Sequence, residues 1–357
     1  MRYLFARLST LLITVIGLGA LSFSGVPAPA WSAKGQKPPR PAVRQTAEQR
    51  AERLNGSAVD LLLQKQYIQA EKLLRTALHI APRYADTYAN LGSVLWEQDK
   101  AAEAEKILRA GVKLEAEPII KALMHYNLAE VLFGTKRFEA AANEYRAALK
   151  LNADDKDSRT GLLKALSERG ITLGKVKRWR DAEAVWREML RLDPQNAELQ
   201  YQLAFALAGQ GKHVAAEPLF RKSVGARPDT EIYTAGLVMA LVAQKKTTEA
   251  EPFVRRLIAQ RWKEAFMRRT LAMILMRQGQ YQAAESELRR TVQLEPRNAL
   301  SYAQLANCLV NQHRHDEART AARKARGLGL KNDKTLEEVE RRLALPMPTV
   351  TPVPVAP

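Results

Sequence analysis

The stretch "YQAAESELRRTVQLEPRNALSYAQLANCL", Tyr281–Leu309, decides the fold, because its skeleton returns along the chain at a nearly fixed distance. It carries a small residue followed by an acid, Ala284-Glu285, then Pro296, then an Ala- and Leu-rich second half. The same small residue recurs at Ala70, Ala104, Ala141, Ala182, Ala216, Ala250 and Ala318, with the acid retained at most of these places. Successive spacings over the whole set are 34, 37, 41, 34, 34, 34 and 34 residues. Helical patterning with a period of that length means paired helices, each pair a structural unit that buries its apolar face against the next.

Composition agrees with such an array. A chain of 357 residues exceeds one typical domain and can bury a large core, so two domains or one repeat array are the alternatives. Hydrophobic residues at 46% and charged residues at 26% exclude a disordered chain. Aromatics are only 6%, and the Ala, Leu, Glu, Arg and Gln that dominate the middle favour helix over sheet. The expected class is all-α.

Other positions keep phase with the small residue. Twelve residues before it stand Ala58, Gly92, Ala129, Gly170, Ala204, Ala272 and Ala306, with Val238 the departure. Facing small residues let two helices approach closely. Leu61, Leu95, Leu132, Leu173, Leu207, Leu241, Leu275 and Leu309 follow one turn on. Bulky Leu74, Leu108, Tyr145, Trp186, Phe220, Val254 and Leu288 stand four residues after the small residue, on the same face. Pro82, Pro194, Pro228 and Pro296 fall twelve residues after it, where a second helix must stop.

Small, large and proline positions held in phase in this way resemble the tetratricopeptide repeat family, from about Ala51 to Leu330. The resemblance implies a right-handed α-solenoid of about eight helix-turn-helix repeats. The three extra residues before the third repeat fall near Ala116–Lys121 and read as a longer loop around Pro118. The seven before the fourth are close to two helical turns, so they can lengthen a first helix without rotating its buried face. A seam between the third and fourth repeats is expected there.

The expected organisation is a signal peptide or signal anchor at 1–30, a basic Pro-rich linker at 31–47, repeats 1 to 3 at 48–153, repeats 4 to 8 at 154–332, a capping helix at 333–345 and a Pro-rich tail at 346–357. Arg2 and Arg7 precede an apolar block from Leu11 to Leu21, and Ala28-Pro29-Ala30 is a small-x-small cleavage signal, the pattern of a secretory signal. Glycines and serines within residues 8–26 weaken that stretch as a membrane anchor, which stays the alternative. The bulk of the chain is therefore expected to be exported: periplasmic, lumenal or secreted. Cys308 is the only cysteine, so no internal disulfide can form.

No residues gather for catalysis, and no enzyme activity, cofactor or metal is expected. His313 and His315 are two apart, not the helical i, i+4 spacing that a ligand pair needs. Cys308 has no neighbouring His or Lys to lower its pKa, so it reads as a buried thiol. The resemblance instead implies a groove lined by first helices, on which Asn90, Trp96, Tyr126, Asn127, Glu130, Phe133, Tyr201, Phe205, Met239, Met273, Met276 and Asn307 would lie. Its second half, Phe205, Met239, Val242, Met273 and Met276, is an apolar stripe of adaptable side chains suited to a peptide or helix face. The alternative is that these residues pack between adjacent first helices. The family's carboxylate clamp is matched only at Asn90; Asn55, Val59, Leu123 and Asn127 stand where its other residues would be, which argues against a clamp.

Charge suggests a second surface. Without Arg2 and Arg7 the chain holds 54 Lys and Arg against 38 acids, and residues 255–342 alone hold 19 against 10. The expectation is a non-catalytic exported scaffold that binds a protein or peptide, for envelope or complex assembly. The alternative is a basic protein docking on an anionic membrane surface or an acidic cell-wall polymer; nucleic acid fits the charge but is seldom met by an exported chain.

Overall fold

The computed structural model describes residues 45–344, and the regular structure within them is helical. The signal segment, most of the basic linker and the Pro-rich tail lie outside the described residues. Seventeen helices follow in order: α1 Ala47–Leu63, α2 Tyr67–Ile80, α3 Ala85–Glu97, α4 Ala101–Gly111, α5 Pro118–Gly134, α6 Phe138–Leu151, α7 Lys156–Lys175, α8 Trp179–Leu192, α9 Ala197–Gly209, α10 His213–Ala226, α11 Glu231–Ala243, α12 Thr247–Ala259, α13 Glu264–Arg277, α14 Tyr281–Leu294, α15 Ala299–Asn311, α16 His315–Gly327 and α17 Lys334–Ala344. Odd-numbered helices from α1 to α15 are the first helices of eight repeats, and even-numbered ones the second.

Local chemistry sets the boundaries. Thr46 opens α1 with a capping box, its hydroxyl accepting from the Gln49 amide while Gln49 reaches back to the Thr46 amide. Asn196 and Asn298, each two residues after a helix-ending proline, accept backbone amides of α9 and α15 through their side chains. Pro118 departs from the expected loop: it is the first residue of α5, because its fixed φ and missing N–H suit that position. The loop lies before it, at 112–117, and α5 is 17 residues long.

Each repeat turns on a left-handed residue that the composition conceals. Lys65, Asp99, Lys136, Lys177, Gly211, Lys245, Gly279 and His313 all have positive φ, one in each turn between first and second helix. The next residue's amide then reaches back to a leucine carbonyl, as from Lys100 to Leu95 (2.9 Å), Lys246 to Leu241 (2.9 Å) and Gln280 to Leu275 (2.9 Å). The acceptors are the in-phase leucines of the first helices, whose side chains at Leu95, Leu132, Leu241 and Leu275 are buried in the core.

Within a repeat, small meets large. The second-helix alanines from Ala70 to Ala318 are buried, and so are Leu74, Leu108, Tyr145, Phe220, Val254 and Leu288 four residues on. A side chain at Gly92 would overlap Leu108, and one at Gly170 would overlap the Trp186 indole. Burying each such large side chain contributes roughly 1.5–3 kcal/mol.

Between repeats, the acid of the Ala-Glu pair is a fixed ladder. Glu217 accepts from Gln244 Nε2 at 2.9 Å and Lys246 Nζ at 2.7 Å in the next repeat, and from Arg221 in its own. Glu71 does the same with Gln98, Lys100 and Arg75, Glu183 with Gln210, Lys212 and Arg187, and Glu285 with Gln312, Arg314 and Arg289. Glu251 keeps Gln278 and Arg255, and Glu105 keeps Arg137 and Arg109. The positions after Ala141 and Ala318 are Ala142 and Arg319 and carry no acid.

Two compact units are present, one ending at Leu166 and one beginning at Ser167, with the boundary inside the 20-residue helix α7. The second ends in α17, whose Leu336 and Val339 are fully buried and which packs on α15 and α16. No helix among the described residues is long and apolar enough to cross a membrane.

Candidate functional site

In the first unit, the first helices are joined by amide and hydroxyl groups. Asn55 donates to Thr87 Oγ1 at 2.7 Å, Asn90 donates to Asn55 Oδ1 at 3.2 Å, and Asn127 donates to Ser93 Oγ at 2.8 Å and to the Ala89 carbonyl. Asn127 is thus buried and committed to neighbours in the preceding repeat. Tyr126 is buried beside the Tyr145 ring, and the Tyr145 hydroxyl donates to Glu130. Trp96 lies over Gly134, and Phe133 meets Phe138 edge to face at 5.5 Å. Asn90, Trp96, Glu130 and Phe133 remain partly exposed, while Tyr126 and Asn127 pack between elements and offer no groove surface.

In the second unit the corresponding joints are aromatic and aliphatic. Tyr201 stacks on Tyr233 at 5.0 Å and contacts Phe220 and Phe205, which buries it and removes it from the open face. Burial pushes its hydroxyl pKa up to about 12. Val242 is also buried, so the stripe read from the sequence is narrower than expected. What stays open is Phe205, 47% exposed, and Met239, 49% exposed. They occupy equivalent positions on α9 and α11, and Met273, half-buried on α13, continues the same column with Met276 one turn on. Asn307 follows at the equivalent place on α15, where its carbonyl and side-chain oxygens both accept from Asn311.

Phe205 is held in place by an edge-to-face contact with Trp179 at 5.6 Å, the indole lying over Gly209. An exposed ring fixed from beneath is a rigid anchor, and the methionines beside it can adapt their shape. Arg269 and Arg277, half-buried and exposed on α13, form no ion pair among the described residues; Arg269 sits against the Phe266 ring and Arg277 donates to the Val242 carbonyl. The surface can therefore offer apolar contact with positive charge on the same helix, one turn to either side of Met273. Among the described residues no three His, Cys, Asp or Glu side chains come together as a metal site, and His313 is the left-handed residue of its turn.

Sequence profiles described as tetratricopeptide repeat match residues 61–125 and 275–327, residues 167–231, and residues 122–155, more than half of the chain in total. No curated protein matches at a significant level. Solved structures similar to the chain include a tetratricopeptide repeat protein from Parabacteroides merdae, 17% identical over 83% of this chain and 99% of that one, with a TM-score of 0.37. Another is MamA from Desulfovibrio magneticus RS-1, 20% identical over 50% of this chain and 95% of that one, TM-score 0.43. MamA AMB-1 is 20% identical over 46% of this chain and 96% of that one, TM-score 0.43.

Proposed function

The chain belongs to the tetratricopeptide repeat family, and from that premise we propose that it is an exported, non-catalytic scaffold seating an apolar segment of a protein partner on Phe205, Met239, Met273 and Met276. Proteins of this family typically act as non-catalytic scaffolds and bind protein partners. The observation that carries the reading is the exposure of Phe205 and Met239 at one repeat position, while their neighbours Tyr201 and Val242 are consumed by packing. Partners of envelope or complex assembly suit a chain that opens with Arg2, Arg7, an apolar block and Ala28-Pro29-Ala30, all outside the described residues.

Two measurements test the reading. A partner captured by the wild-type protein and identified by mass spectrometry is purified, and its Kd is measured against Met239→Glu/Met273→Glu. Placing carboxylates against an apolar partner face is expected to weaken binding at least tenfold with helicity unchanged. Loss of binding on Arg289→Glu/Arg290→Glu, with the Met changes silent, would replace the first-helix reading by a charged-surface one. Amino-terminal sequencing of exported protein should begin within a few residues of Trp31; intact Met1 on membrane-bound protein would favour the anchor.

A further inference from the structure

Among the described residues the basic excess falls on the second unit. Residues 45–166 hold 18 Lys and Arg against 17 Asp and Glu, whereas residues 167–344 hold 32 against 21. Part of that surplus is periodic. Arg221-Lys222, Arg255-Arg256, Arg289-Arg290 and Arg323-Lys324 are four dibasic pairs spaced by 34 residues, one on each second helix α10, α12, α14 and α16. The equivalent places in the first four repeats hold Arg75-Thr76, Arg109-Ala110, Arg146-Ala147 and Arg187-Glu188, so the second cation belongs to repeats 5 to 8.

The two members of a pair have different surroundings. The first is tied into the glutamate ladder at Arg221, Arg255 and Arg289. The second points away from it. Lys222 and Lys324 are exposed and form no ion pair among the described residues, and Arg290 is exposed and donates only to Gln293. Arg256 is half-buried and held near Asp229 at 3.3 Å, a carboxylate that is itself 96% exposed. In three of the four pairs the ladder glutamates thus hold the first basic residue, while the second lies outside the ladder and recurs once per repeat on the second helices.

We propose that Lys222, Arg256, Arg290 and Lys324, one on each second helix of repeats 5 to 8, form a docking row for a flexible linear polyanion, a chain of phosphates or carboxylates. A row with one cation per repeat matches a partner that carries charge along its length. A bilayer surface fits less well, because docking there relies on aromatic or leucine side chains that enter the interface. Among the described residues these four helices expose no aromatic side chain of that kind and only two large apolar ones, Val214 and Leu294, on different helices and both near helix ends, which do not make an apolar face.

The test uses the full chain with long-chain inorganic polyphosphate and poly-L-glutamate as probes, and vesicles of phosphatidylglycerol in phosphatidylcholine as the competing surface. Lys222→Ala/Arg290→Ala/Lys324→Ala removes three row charges. Lys72→Ala/Lys106→Ala/Lys150→Ala, three exposed lysines of the first unit, removes the same charge elsewhere. Expected is polymer binding that weakens as salt rises, falls at least tenfold in the row variant and less than twofold in the control, with both variants retaining wild-type helicity. Equal losses in the two variants, vesicle binding without polymer binding, or tighter binding to a short DNA duplex than to polyphosphate would overturn the proposal.

Discussion

Lys246 Nζ stands 2.7 Å from Glu217 Oε2, joining residues 29 apart in sequence and one repeat apart in the array. The hydrogen bond from Lys246, opposed by burial and assisted by Arg221 and Gln244, holds the Glu217 carboxyl well below its usual range, at about 2. At Glu71 burial alone would raise the pKa, but Lys100, Arg75 and Gln98 outweigh it and bring it to about 2 as well. A carboxylate with a depressed folded pKa binds fewer protons folded than unfolded. Its contribution is complete above the ordinary value of 4.5 and is lost as pH falls toward 2. Urea melts should therefore lose stability across that window. Glu71→Gln/Glu217→Gln should be less stable at pH 7 and lose less on acidification; equal acid limbs in variant and wild type would remove the ladder from the explanation.

Gly279 has φ +76° in its repeat turn, with no atom near enough to obstruct a side chain. Gly279→Ala then isolates backbone strain, and an expected loss of about 1–2 kcal/mol follows from the left-handed conformation alone. Gly225 also has open space around it but lies in helix α10, so Gly225→Ala should be neutral or stabilising by up to about 1 kcal/mol. Thermal melts of the two variants moving in the same direction would contradict the assignment.

What the sequence made legible was everything that repeats in residue type. Ala216 and Leu241 keep both identity and phase in every repeat and Pro228 in four of them, so helix pairs and many of their ends follow from spacing. The turn residue is hidden because Lys65, Lys136, Lys177 and Lys245 occupy a conformation usually advertised by glycine, and only Gly211 and Gly279 do so. The ladder is hidden because Glu217 meets Gln244 across a distance at which no local pattern operates. The same limit applies to the candidate site. Tyr201 and Phe205 lie one turn apart on one helix, yet Tyr201 is buried because Tyr233 of the next repeat covers it. Asn127 likewise looks available until Ser93 and Ala89 are placed against it.

Cys308 is fully buried, and its thiol donates to the Tyr281 carbonyl at 3.2 Å. Burial, with a smaller push from Glu285, raises its pKa to about 11, so the reactive thiolate is scarce at neutral pH. A thiol reagent should react only through opening of the last repeats. Its rate is expected to rise steeply with denaturant and to match amide hydrogen exchange of α15. Rapid stoichiometric labelling in native buffer would show that the repeat is already open around the sulfur.

Gly170 and Trp186 form a close small-to-large contact in the second unit, since a methyl at Gly170 would fall on the indole. Trp186 is itself buried on α8, and a planar ring that size cannot turn aside as a leucine can. Gly170→Ala should therefore destabilise the array by about 1–3 kcal/mol, the usual cost of overpacking, even though alanine is the better helix former. Trp186→Leu alone should also destabilise it, by leaving a cavity. Combined, the two changes should cost less than their sum, because the smaller side chain gives the added methyl room. Urea melts of the four proteins measure that coupling. An additive double variant would mean that α7 and α8 approach less closely at Gly170 than the indole contact requires.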